Sequence, residues 1–175
     1  MKKILLSLFA ALAIGAGSAS AGPTELTFSY GGYTQMDACN NHDGWDHVNN
    51  AWGALNVGLN FNVLPKLWIG PSYTFSSTTT KGGPHHSNIA YHGILLNGRY
   101  EYYRNSIVRL YGHLGIGAVI SHMMPYEHDA YNKAYFGMQI SPLGAQVDLS
   151  RQWSIFGELG FGVQGLVQVG GKVRF

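Results

Sequence analysis

Between Ala54 and Phe75 the chain alternates with a period of two, twice in succession, and Leu64-Pro65-Lys66 separates the two runs. In the first, Leu55, Val57, Leu59, Phe61 and Val63 fall on one face and Asn56, Gly58, Asn60 and Asn62 on the other. The second sets Leu67, Ile69, Tyr73 and Phe75 against Gly70, Ser72, Thr74 and Ser76. Side chains alternate across a strand but recur about every 3.6 residues in a helix, so this pattern specifies a β-hairpin. About ten residues of one-sided apolarity is also the length of a strand that crosses a bilayer at a tilt.

Residues 1–21 read as a cleaved export signal. Met1-Lys2-Lys3 is a basic start, Ile4 to Gly15 an apolar run too short to span a membrane, and Ala19-Ser20-Ala21 an A-x-A cleavage site. No cysteine adjoins that site, so a lipoprotein is not expected. Residues 22–175 then form one domain. Removing Lys2 and Lys3 from 11 Lys+Arg leaves 9 (11 minus 2) against 9 Asp+Glu, a balance that excludes nucleic acid as a partner. Charged residues make up 11% of the chain, where soluble proteins carry about 25%. Glycine, at 24 of 175 residues, is about twice as frequent as usual. Low charge without a long apolar run fits a membrane β-barrel. The single cysteine, Cys39, excludes an intrachain disulfide and is expected to be a plain loop residue.

Taken in order, the chain gives eight strands. The first covers Glu25 to Tyr33, with Leu26, Phe28 and Tyr30 on one face, and residues 34–50 form a long polar loop without a period. The hairpin supplies strands two and three, followed by a second long loop over 76–88. Strand four, about Ile89 to Tyr103, sets Ala90, His92, Ile94, Leu96, Tyr100 and Tyr102 against Leu95, Asn97, Arg99 and Glu101. After the short turn Arg104-Asn105-Ser106, strand five sets Val108, Leu110, Leu114, Ile116, Ala118 and Ile120 against Arg109, Tyr111, His113, Gly115 and Gly117. A third long loop covers about 121–133.

Strand six changes phase, from Phe136, Met138 and Ile140 to Leu143, Ala145, Val147 and Leu149, which predicts a β-bulge near Ser141-Pro142. Beyond the turn Ser150-Arg151-Gln152, strand seven carries Ile155, Leu159, Phe161 and Val163 against Glu158, Gly160, Gly162 and Gln164. A tight connection at Gln164-Gly165-Leu166 leads to strand eight, where Val167, Val169, Val173 and Phe175 oppose Gln168, Lys172 and Arg174. Long and short connections alternate, as they do between the outer loops and periplasmic turns of bacterial barrels, and both termini fall on the short-turn side.

The polar faces carry Arg99, Arg109, Lys172 and Arg174 against Glu101, Asp148 and Glu158. Facing lipid near the midplane, such charges would cost roughly 2–4 kcal/mol each, so the polar face must be the inside. Aromatic residues gather at strand ends on the apolar face: Tyr100, Tyr102, Trp153 and Phe175 at one end, Tyr30, Tyr73, Phe75 and Phe136 at the other. Those are the two belts that amphipathic rings form at headgroup depth. The fold class expected is therefore all-β, an eight-stranded antiparallel up-and-down transmembrane β-barrel. A secreted lipocalin-like barrel or soluble sandwich is the competing reading, and it leaves the alternating loop lengths unexplained.

The export signal, the eight alternating strands and the C-terminal Gly171-Lys172-Val173-Arg174-Phe175 resemble the small eight-stranded outer-membrane β-barrel family, the OmpA/OmpX-like and opacity-like porin-family barrels. Ile140-Ser141-Pro142-Leu143-Gly144 and Trp153-Ser154-Ile155-Phe156-Gly157-Glu158-Leu159-Gly160 are similar to the last third of that family. The resemblance implies residence in the outer-membrane bilayer and recognition of Phe175 by the barrel-assembly machinery. It implies no catalytic residues.

An eight-stranded barrel is narrow enough to be filled by its own side chains, so function is expected in the loops or on the lipid face, with the external loops serving envelope integrity or surface binding and adhesion. His42, His47, His85, His86, His122 and His128 lie in or beside the three long loops, near Cys39, Asp43, Asp46, Glu127 and Asp129. These are residue types that zinc, nickel or copper accept, but their spacing matches no ligand motif, and solvated loop histidines are the expected reading. His85-His86-Ser87-Asn88 resembles the His-x-Ser-Asn of outer-membrane lipid A deacylases, with His85 as base and Ser87 as nucleophile. It falls in a loop rather than a late strand and has no suitably spaced Glu. The expectation is no enzyme, no cofactor and no metal site.

Overall fold

The computed structural model describes residues 23–39, 48–80, 88–124 and 130–175. Eight strands close into an antiparallel barrel in which each pairs with its sequence neighbours and the first with the last. They are β1 (Thr24–Gly32), β2 (Ala54–Leu64), β3 (Leu67–Thr79), β4 (Asn88–Arg104), β5 (Val108–Met124), β6 (Tyr131–Asp148), β7 (Trp153–Gly162) and β8 (Val167–Arg174). Closure leaves no sheet edge along the shared height of the wall, which a bilayer requires because its core offers backbone groups no hydrogen-bond partners. No helix among the described residues is long and apolar enough to cross a membrane.

The expected alternation holds, with the apolar face outward. In β5, Leu114 is 61% exposed and Ile116 62%, while Arg109 between the strand's outward positions is 3% exposed. Tyr100, Tyr102, Trp153 and Phe175 project outward at the end of the short turns, and Tyr30 and Phe136 at the other end. The bulge falls where the phase change predicts it: pairing slips between Tyr111 and His113 on one side of β6 and between Ile140 and Leu143 on the other.

Three expectations need correction. The long loops over 76–88 and 121–133 are shorter, because β3 continues to Thr79, β4 begins at Asn88, β5 continues to Met124 and β6 begins at Tyr131. Polarity there marks a wall that rises above the apolar band, and Thr is at home in a strand whichever solvent it faces. Residues 34–50 are not all loop: Gln35–Ala38 form a one-turn helix, α1. Thr34 caps it, its hydroxyl accepting from the Asp37 N–H at 3.4 Å while the Thr34 N–H donates to Asp37 Oδ2 at 2.7 Å. Finally, Val163 does not join the outer face. Gly162, at φ +148°, breaks the alternation and turns Val163 inward, where it is buried.

Candidate functional site

The interior has two storeys. Near the short turns it is ionic: Glu25, Glu101, Asp148 and Glu158 face Arg99, Arg109, Lys172 and Arg174, four acids against four bases. Glu25 from β1 is the hub, fully buried, accepting from Arg99 Nη2 at 2.5 Å across the lumen and from Arg174 Nε at 3.1 Å on the adjoining β8. Arg109 reaches Asp148 at 2.5 Å on the neighbouring β6 and lies 3.6 Å from Glu101. Glu101 also lies 3.5 Å from Arg99. Pairing between neighbouring strands thus accounts for part of the network, while Glu25–Arg99 ties opposite walls.

A second chain of bonds crosses the middle. Tyr111 Oη donates to Glu158 Oε1 at 2.8 Å, and His113 places Nδ1 2.9 Å from Glu158 Oε2 and Nε2 3.0 Å from Asn97 Oδ1. Lys172 donates to Gln146 Oε1 at 3.0 Å and lies over the rings of Tyr111, at 4.4 Å, and Phe156, at 4.3 Å. Arg99 stands 4.8 Å from the Trp68 ring. Gly144 makes room for this layer, since a Cβ there would sit 2.3 Å from the Tyr111 ring. Beside this layer lies a cavity of about 40 Å³, lined by Thr27, Asn97, Arg99, Glu158, Gln168 and Lys172 among others. A void of that size admits a few waters, each needing roughly 10–15 Å³.

The other storey is apolar. Ile89, Tyr91, Leu95, Val119, Met123 and Val163 pack into a plug on which Met36 of α1 and Val48 close from above. Gln35 fastens the helix to the wall: its amide donates to the Phe136 carbonyl at 2.9 Å, and its carbonyl accepts from the Met138 N–H at 3.2 Å. Asp37 adds a bond from the Ala51 N–H at 2.6 Å. The end opposite the short turns is therefore stoppered by a soluble-protein-like core. Outside it, Tyr30 stacks on Trp52 and donates to its carbonyl, and Trp52 Nε1 donates to Ser77 at 2.8 Å.

Of the residues that sequence singles out for chemistry, His42, His47, His85, His86, Ser87 and His128 lie outside the described residues, with Asp43, Asp46, Glu127 and Asp129. His122 faces outward with Nδ1 2.6 Å from Asn132 Oδ1. Cys39 caps the C-terminus of α1, where its N–H donates to the Gln35 carbonyl at 3.0 Å. Among the described residues no three His, Cys, Asp or Glu side chains converge on a metal position.

Sequence reasoning missed Glu25 and Trp68 as interior groups. Glu25 shares parity with Thr27 and Ser29, which was the available signal. Trp68 shares parity with Gly70 and Ser72, yet its type suggests a headgroup belt. Only parity could decide it.

No family model matches the chain, and no curated protein matches it in sequence. Solved structures do match in fold. The N-terminal β-barrel domain of Pseudomonas aeruginosa OprF aligns at a TM-score of 0.52 with 9% identity, over 89% of this chain and 98% of that one. Yersinia pestis Ail, the attachment invasion locus protein, in complex with the heparin analogue sucrose octasulfate, aligns at 0.51 with 13% identity, over 89% and 99%. The fold is that of the small eight-stranded outer-membrane barrels.

Proposed function

We propose that the chain is an integral outer-membrane protein, exported by residues 1–21, with a non-conducting interior and an external end that serves envelope integrity or surface binding and adhesion. One observation carries this reading: the burial pattern is inverted. Leu114 and Ile116 are more than 60% exposed while Glu25 is fully buried with Arg99 and Lys172, an arrangement stable only if the outside is oil. The non-conducting interior is supported by the packed plug above and the side-chain-filled ionic layer below. No catalytic role is assigned. The buried charges are engaged with one another or with neighbouring polar groups inside a closed lumen, out of reach of substrate.

Phe175, exposed at the end of β8 and outside the barrel, is presented for recognition by the barrel-assembly machinery. Surface partners are assigned to the segments 34–50, 76–88 and 121–133 at the external end.

The reading is tested by expressing the full chain with its export signal in a Gram-negative host. Fractionation should place it in the outer membrane, extracted only by detergent and migrating faster in gels before heating than after. A mature chain that stays monomeric and soluble in plain buffer refutes it. Planar-bilayer recordings of the purified barrel should show no steady conductance. Strains lacking the protein, complemented with full-length barrel or with barrel shortened at the external loops, then separate an envelope role from a surface-binding one.

A further inference from the structure

The outward face of the wall changes character toward the end away from the short turns. Leu96 and Ile94 on β4, and Leu114, Ile116 and Ile120 on β5, are apolar and exposed. The next outward positions on the two strands are His92 and His122, both half-buried. The register pairs His92 with Ile120 and Ala90 with His122, so the two histidines are diagonal neighbours on adjacent strands. Diagonal side chains start about 7–8 Å apart, which long and aromatic groups can span. The two imidazoles are close enough for their charges to act on one another.

Each ring is held by the same nitrogen. Tyr73 Oη on β3 and His92 Nδ1 share a hydrogen bond at 2.6 Å, and the Phe75 ring stands against the same imidazole with centroids 5.4 Å apart. From the other side, Asn132 Oδ1 on β6 lies 2.6 Å from His122 Nδ1. Both partners are oxygens that accept a hydrogen bond, so each Nδ1 can carry its ring's proton and leave the lone pair on Nε2. Neither Nε2 has a hydrogen-bond partner among the described residues. An oxygen on one ring nitrogen fixes the tautomer and orientation and raises the basicity of the other, which is how a histidine is prepared to ligate a metal. A belt of amphipathic rings accounts for one half-exposed imidazole, but not for two adjacent ones tied through the same atom.

We propose that His92 and His122 bind one Cu(II) ion through their Nε2 atoms, with water in its remaining positions and with Tyr73 and Asn132 as positioning residues. Imidazole suits copper, zinc and nickel, and copper stands highest in the order of divalent affinities, so it is the ion that two ligands hold best. The pair is fixed by strand register and does not depend on what covers the wall.

The full chain carrying His42→Asn, His47→Asn, His85→Asn, His86→Asn, His128→Asn and Cys39→Ser is folded in detergent and titrated with Cu(II), read by calorimetry and electron paramagnetic resonance. Folding of every variant is checked by gel migration before and after heating. One Cu(II) per chain should bind saturably, with hyperfine structure from two imidazole nitrogens. Adding His92→Ala or His122→Ala should abolish that signal, and Tyr73→Phe should weaken binding roughly tenfold while keeping both nitrogens. Should the multiply substituted chain not fold, the unaltered chain decides: His122→Ala should lower the copper bound by one ion per chain. No saturable binding, a signal from a single nitrogen, or a copper total unchanged by His122→Ala overturns the proposal.

Discussion

Arg99 of β4 and Glu25 of β1 meet inside the barrel at 2.5 Å, on walls that share no ladder, with side chains 5% and 0% exposed. Two charges withdrawn from water gain little net stability from each other, because desolvation consumes most of the Coulomb attraction, but leaving one without the other is costly.

Replacing Glu25 with Ala should therefore be far more damaging than removing the pair. Glu25→Ala leaves both Arg99 and Arg174 without their shared acceptor and should lower unfolding free energy by about 3–5 kcal/mol. Glu25→Gln with Arg99→Met should recover much of that loss. Urea titrations of barrel folded in phosphatidylcholine vesicles, read by tryptophan fluorescence, provide both values.

Two glycines, one on β6 and one on β4, should respond differently. At Gly144 a Cβ would lie 2.3 Å from the Tyr111 ring, which is fully buried and held to Glu158, so Gly144→Ala should force that ring out of place and cost about 1–3 kcal/mol. At Gly98 a Cβ meets nothing, and Gly98→Ala should leave stability unchanged within about 0.5 kcal/mol. The same urea titration distinguishes them.

Gln35 is the rivet between α1 and the wall. Gln35→Ala removes both of its bonds to the β6 backbone and should cost about 1–2 kcal/mol. Hydrogen exchange at the Met138 amide should rise while amides low in β4 and β5 keep their protection. Uniform loss of protection across the barrel would show instead that α1 belongs to the global folding unit.

The wall was legible from the sequence because strand parity is a strict code: a one-residue error would expose every inward charge, so the pattern in β2, β4 and β5 admits a single registration. The bulge was legible for the same reason, since a phase change with Pro142 at its centre has few other readings. What stayed hidden did so where residue type and geometry disagree. Thr78 and Thr79 are polar yet extend a strand, because the wall outgrows its apolar band. Thr34-Gln35-Met36-Asp37 holds a capping box, but a single turn is too short to show helical periodicity against polar surroundings. Val163 reads as an outward alternating residue until the positive φ of Gly162 is known. The ionic layer was half visible: seven of its eight charged members fall on the polar faces, but Glu25 was missed, and that it joins Arg99 across the lumen depends on the barrel's closure, which no local pattern encodes.

The account depends on lipid touching the faces of Leu114 and Ile116. Nitroxide labels placed singly at Leu114, Ile116 and Val119, in a Cys39→Ser background in phosphatidylcholine vesicles, measure this through collisional relaxation. Labels at Leu114 and Ile116 should be relaxed by oxygen dissolved in the bilayer and untouched by a water-soluble nickel chelate, while a label at the inward Val119 is reached by neither. If the nickel chelate reaches Leu114 and Ile116, or if oxygen fails to reach them because they are packed in a core, the barrel does not face lipid and the assignment to the membrane is wrong.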